Sequence, residues 1–161
     1  MINKDKTILV TASAKRLGKF IITDLVETGW SIALHYNKSK KLAEETAEKL
    51  IKVGGKVNLY QADLSKKSDI ENLINNLEAH DSTWTGLINN AGYFNYDNCN
   101  DFSFDDLYNH MSINFAAPAM LTKALANYTI KIQKKKKSQQ GFVINMLDAK
   151  IFGLNPDYYT Y

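Results

Sequence analysis

The chain has one cysteine and two prolines in 161 residues, and Arg16 is its sole arginine. A lone Cys99 excludes an internal disulfide and fits a reducing compartment. With no histidine close to it in sequence, it offers no catalytic thiol. Any rigid forked contact to a phosphate must come from Arg16. Long apolar runs are missing too, and nothing approaches the ~18 residues of a membrane span. The opening residues, MINKDKTILV, lack the apolar region and small-residue cleavage site of a secretory signal. A cytoplasmic location without a membrane partner is therefore expected. Strong net charge is also absent: a formal +3 is too small to imply a nucleic-acid partner.

What is present suits one ordinary domain over residues 1–161. Apolar residues make up 45% and charged residues 23%, enough to bury a core while staying soluble. Short apolar runs alternate with longer amphipathic ones. Strands are predicted at 7–11 (TILVT), 31–36 (SIALHY), 56–61 (KVNLYQ), 86–89 (GLIN) and 141–146 (GFVINM). Helices are predicted at 15–28, 40–53, 68–80 and from 103 to about 131. In the second helix Leu42, Ala43, Ala47, Leu50 and Ile51 repeat on one face, and Gly54–Gly55 supplies the stop. Ser103 and Asp106 form a capping-box pattern with Asp for Glu. Pro118 predicts a kink or irregular turn in the long fourth helix. The lysine-rich stretch 131–140 (KIQKKKKSQQ) reads as a solvated loop before the fifth strand.

Alternating strands and helices predict an α/β fold, a doubly wound parallel sheet of the Rossmann-like kind with right-handed crossovers. Five strands and four helices are counted, and the pattern stops on the fifth strand plus a turn. The sheet is expected to be incomplete, with C-terminal strands missing.

The first strand opens into TASAKRLGKF, residues 11–20. A turn from a parallel strand into a helix presents free N–H groups and the positive end of a helix dipole, where a dinucleotide's pyrophosphate would sit. One glycine, Gly18, stands where a full motif has three, so this stretch alone is weak.

The wider chain resembles the short-chain dehydrogenase/reductase family, and within it the pteridine reductases. Thr11, Lys15, Arg16, Leu17 and Gly18 match that subgroup's first turn, while Ala12 stands where a glycine belongs; a positive φ there would strain it by ~1 kcal/mol or more. The second strand ends in LHYNKS with no carboxylate to hold a ribose 2′-hydroxyl. His35, Lys38 and Ser39 match the subgroup instead, and Lys38 with Ser39 implies a 2′-phosphate and hence NADP (NADPH) as cofactor. By resemblance Asp63 contacts the adenine with Leu64 beside it. Asn90, Ala91 and Gly92 of INNAG pass close to the cofactor, and Asn114 belongs to a proton relay. No metal is implied.

The family's reaction is hydride transfer from nicotinamide, with a tyrosine supplying the proton and a lysine four residues on lowering its pKa. Asp148 matches the subgroup's catalytic aspartate, and Tyr161 lies thirteen residues on, at the proton donor's place. Tyr158 falls on a further tyrosine of the substrate site. The resemblance implies a small carbonyl or pterin substrate and an oligomer in the intact form. The sequence reads as cut at Tyr161 before the lysine, with the phenol pushed above its working range by the terminal carboxylate. Two alternatives stand beside a reductase inactive in this form. One is a nucleotide-binding half-domain completed by a second fragment, and the other is a degraded gene product.

Overall fold

Thr7–Val10 (β1) lies at the centre of a five-stranded sheet because every one of its four side chains is buried. Alternate residues of a strand point to opposite faces, and β1 feeds two cores. Leu9 joins one with Leu73, Leu77, Trp84, Leu121 and Leu125, while Ile8 and Val10 join another with Ile22, Val26, Ile32 and Leu34. Each such fully buried aliphatic side chain contributes ~1.5–3 kcal/mol over an exposed one. The computed structural model describes residues 6–80, 84–134, 140–153 and 157–161.

The other strands are Ser31–Tyr36 (β2), Val57–Gln61 (β3), Trp84–Asn89 (β4) and Phe142–Asn145 (β5). Their order is β3-β2-β1-β4-β5, and all paired neighbours are parallel. The helices are Arg16–Glu27 (α1), Lys40–Lys52 (α2), Lys67–His80 (α3), Phe104–Met111 (α4) and Ala117–Gln133 (α5). The α1 and α2 side chains supply one core and those of α3 and α5 the other, so both faces of the sheet are covered. The order reverses at β1, where the chain turns from β2 and β3 to β4. In doubly wound sheets, ligands bind at such a point, outside the carboxyl ends of the strands.

The Ser103–Asp106 cap forms as expected, with the Asp106 N–H donating to Ser103 Oγ at 3.0 Å. The predicted irregularity in the long helix is a π-helical turn at Ser112–Ala116, and Pro118 follows within the first turn of α5. Three expectations are corrected. β4 starts two residues earlier than predicted, at the fully buried Trp84. On α2, Leu42 and Ile51 are exposed and Thr46 takes the buried place, its hydroxyl donating to Ala14 O at 3.3 Å. Lys131–Gln133 continues α5 instead of starting a loop; residues 135–139 of that predicted loop lie outside the described residues. β5 stands at one edge of the sheet, with Ile144, Met146 and Leu147 exposed.

Candidate cofactor and catalytic site

Backbone geometry shapes the β1–α1 turn first. Ala12 and Arg16 both have φ of 52°, the left-handed region that L residues with a Cβ pay strain to enter. The expected strain at Ala12 is thus present. Three bonds hold the turn open. The Thr11 N–H donates to Ile88 O, that of Ser13 to His35 O, and that of Ala12 to His35 Nδ1, each at 3.0 Å. No side chain caps the start of α1, and its first turn carries no acid. Lys15 and Arg16 are exposed beside it. Gly18 is required by contact: a Cβ there would stand 2.6 Å from Ala12 O, 2.7 Å from Asn90 Nδ2 and 2.7 Å from Ser13 Cα. That closeness draws the N-terminus of α1 tight against the turn, which suits an approaching anion.

A cleft of about 430 Å³ opens from this turn along the ends of β2 and β3. Ala12, Lys15, Lys38, Ser39, Asp63 and Tyr93 are among the residues that line it. Lys38 is exposed and Ser39 half-buried, so an ammonium and a hydroxyl face solvent at the end of β2. Asp63 accepts from the Ser65 N–H at 3.1 Å and the Ser65 hydroxyl at 2.7 Å, and pairs with Lys66 at 3.7 Å. Burial would raise its pKa, but these bonds and the charges of Lys66 and Lys38 outweigh it and hold the carboxyl below its ordinary value.

Several expected cofactor contacts form the frame of this cleft instead of its wall. His35 is 2% exposed, and with Nδ1 accepting from Ala12 its Nε2–H donates to Ala62 O at 3.1 Å. Burial depresses its pKa to about 4, so the ring is neutral at working pH. Thr11 is buried, and its hydroxyl oxygen accepts from the N–H groups of Asn90 at 2.9 Å and Ala91 at 2.8 Å. Asn90 Nδ2 returns the tie by donating to Thr11 O at 2.9 Å. The Leu64 side chain belongs to the core. Thr11, His35 and Leu64 are thus buried within the protein, while Asn90 is half-buried and spends its Nδ2 on the turn. Leu17 is half-exposed on α1, and Gly92 is exposed.

The expected catalytic groups gather after β4 and β5. Asn114, in the π-helical turn, accepts from the Tyr93 N–H at 2.8 Å and donates to Tyr93 O at 2.9 Å. Its amide therefore fixes the loop after β4, and neither end is joined to Tyr161. The Tyr161 hydroxyl donates to Asp148 Oδ2 at 3.4 Å. Its phenol is raised above the ordinary tyrosine value, first by burial and then by the Asp148 charge and hydrogen bond. The direction matches the sequence expectation, but the causes are burial first and then Asp148. Tyr158 stacks on Phe94 at 4.1 Å, and Phe94 meets Tyr161 edge-on at 4.8 Å. Asp97, His110 and Thr160 were not expected from the sequence: His110 meets the Tyr161 ring edge-on and Asp97 binds Thr160 beside it, and no spacing signals them.

A family model described as short chain dehydrogenase matches residues 6–149. A short-chain dehydrogenase/reductase homolog, YusS, of Bacillus subtilis is 37% identical over 87 residues, covering 54% of this chain and 80% of that protein. Glucose 1-dehydrogenase 2 of the same organism is 28% identical over 127 residues, 78% of this chain and 49% of that one. The solved structure of FolM alternative dihydrofolate reductase 1 from Brucella canis, complexed with NADP, superposes with a TM-score of 0.89 at 27% identity. It is matched over 100% of this chain and 63% of its own. The chain thus spans about half the length of one of these relatives and under two thirds of another.

Proposed function

The chain belongs to the short-chain dehydrogenase family, and from that premise we propose that it binds NADP(H) and, in the whole protein, reduces a carbonyl or pterin by hydride transfer. The carrying observation is the cleft itself: cationic Lys15 and Lys38 with Ser39 in its lining, and no carboxylate at the end of β2. A carboxylate there would repel a 2′-phosphate, whereas an ammonium and a hydroxyl attract it. The NADP complex of the Brucella canis relative supports the same choice. The residues fit the group at its phosphate end as well, because Gly18 and the uncapped start of α1 leave backbone donors open to an anion.

When bound, the cofactor supplies hydride from its nicotinamide. Lys38 and Ser39 hold the 2′-phosphate, Arg16 and the α1 N-terminus the pyrophosphate, and Asp63 the adenine. Tyr161 holds the proton for the substrate, with Asp148 beside it, and Tyr158 with Phe94 forms an aromatic wall for a flat ring. A pterin suits that wall, and one similar structure is named as an alternative dihydrofolate reductase. The 161-residue polypeptide itself is a poor catalyst in this reading. Burial and Asp148 both raise the Tyr161 phenol, and no cation offsets them among the described residues.

Fluorescence titration with NADPH and NADH tests the binding half, and NADPH oxidation with a dihydropteridine substrate tests the rest. Saturable binding that favours NADPH, with slow turnover, is expected. No binding of either nucleotide overturns the reading.

A second reading is favoured by the edge strand. Ile144, Met146 and Leu147 are exposed along β5, so another polypeptide segment, from a second copy or a complementary fragment, completes the sheet there. Size-exclusion chromatography with light scattering checks it, and a monodisperse monomer removes it.

A further inference from the structure

Asp97 directs every polar group it has at the segment carrying Tyr161. Its N–H donates to Asp157 O at 3.2 Å, and its carbonyl accepts from the Tyr159 N–H at 3.4 Å. One carboxylate oxygen accepts from the Thr160 N–H at 3.2 Å, and the other accepts from the Thr160 hydroxyl. The residue is 3% exposed, so these bonds replace its water.

The chain of bonds continues into α4. Because the Thr160 hydroxyl gives its proton to Asp97, its oxygen accepts from His110 Nδ1, 2.7 Å away. That fixes the tautomer: His110 Nε2 is left as acceptor for the Asn95 N–H at 3.4 Å. His110 is 2% exposed, and its ring lies edge-on to Tyr93 at 4.7 Å and to Tyr161 at 5.8 Å. Three elements far apart in sequence thus meet on one hydroxyl, immediately before the residue proposed to hold the proton. Tyr161 is half-exposed, and its edge-on contacts with Phe94 and His110 and one long bond to Asp148 leave its two side-chain torsions weakly restrained.

The geometry points to Asp97, Thr160 and His110 as positioning residues that fix the Tyr161 hydroxyl opposite Asp148. This rests on the reading of Tyr161 as proton donor, but the clamp needs no bound nucleotide. Acid–base groups must be held within hydrogen-bond reach of the atom they serve, and a backbone lock one residue away does this where the ring itself is open to solvent. Among the described residues, the titratable side chains that face Tyr161 are Asp148, from the turn after β5, and His110, from α4.

The test is the titration of Tyr161 in the full 161-residue protein labelled with ¹³Cζ-tyrosine, its resonance assigned by Tyr161→Phe. Thr160→Val keeps the shape and removes the hydroxyl, while Thr160→Ser keeps the hydroxyl. Wild type and Thr160→Ser are expected to share one midpoint above an ordinary tyrosine, whereas in Thr160→Val the midpoint falls by about half a unit or more as the ring leaves Asp148. The other tyrosines keep their positions. An unchanged Tyr161 midpoint in folded Thr160→Val overturns the proposal. Should that variant fail to fold, Asp97→Asn is read in the same way and decides. An NADPH titration run in parallel separates the outcomes. Loss of the clamp effect with NADPH still bound sinks this inference alone, and absent NADPH binding with the tyrosine effect intact sinks the functional reading alone.

Discussion

The Ala12 N–H points at the ring of His35, 3.0 Å from Nδ1, and the opposite ring nitrogen holds Ala62. One buried imidazole therefore ties the β1–α1 turn to the segment after β3, and it can do so only while neutral. Protonation would place an N–H against the Ala12 N–H.

The pH dependence follows from that. Burial, only partly opposed by the Ala62 bond, lowers the His35 pKa from 6.5 to about 4. A histidine with a depressed folded-state pKa stabilises the fold above the unfolded value, and the contribution is lost as pH falls toward the folded one. Unfolding free energy is expected to drop on the order of 3 kcal/mol between pH 6.5 and 4. The lowered carboxyls of Asp63, Asp97 and Asp106 act in the same direction at more acid pH, below the ordinary aspartate value of 3.8. Urea denaturation across this range, compared with His35→Gln, isolates the histidine: the variant should be less stable at pH 7 and should lack the drop above pH 4.

Gly18→Ala sets two known magnitudes against each other. Alanine gains about 1 kcal/mol of helix propensity over glycine, while overpacking costs about 1–3 kcal/mol. The added methyl would meet backbone atoms of Ala12 and Ser13 at 2.6 and 2.7 Å, and a backbone held by His35 does not swing aside as a side chain would. Net destabilisation is expected, read as a lower urea midpoint with an unchanged slope. A higher midpoint would mean that the turn gives way.

The five strands and the doubly wound parallel sheet were legible because buried parallel strands are short apolar runs between long amphipathic ones. The glycine-poor turn could be placed only by its match to a family pattern. His35 looked like a cofactor contact because a polar residue at the end of a strand does not reveal that both its nitrogens are satisfied inside. The Leu42 and Ile51 error arose because lone exposed aliphatic side chains are common on helices. Asp97, His110 and Thr160 left no trace in the sequence, since their contacts span 50 and 63 residues and follow no period.

Ala12→Gly tests the strained turn. A left-handed alanine costs about 1–2 kcal/mol that glycine avoids, offset in part by glycine's greater freedom in the unfolded chain. With φ at 52°, the variant should be more stable by about 1 kcal/mol, seen in urea midpoints. NADPH affinity should rise or hold, because the missing Cβ clears the phosphate's approach. A loss of stability would show that the Ala12 methyl makes contacts worth more than the strain.

Discrimination between nucleotides isolates Lys38. Its ammonium stands exposed at the end of β2 and lines the cleft beside Ser39. A charge-assisted bond to a phosphate contributes about 1.5–3 kcal/mol, and solvent exposure favours the low end. Lys38→Ala should therefore weaken NADPH binding about tenfold, the equivalent of about 1.4 kcal/mol. NADH lacks the 2′-phosphate, so its affinity should not move. Lys38→Asp goes further, since its carboxylate repels the phosphate while accepting from the ribose 2′-hydroxyl, and preference should pass to NADH. The wild-type preference should also shrink as salt rises, because an exposed ammonium–phosphate pair is screened within about 8 Å at physiological ionic strength. If Lys38→Ala weakens both nucleotides equally, Lys38 acts on a part that they share, and the 2′-phosphate must be held elsewhere along the cleft.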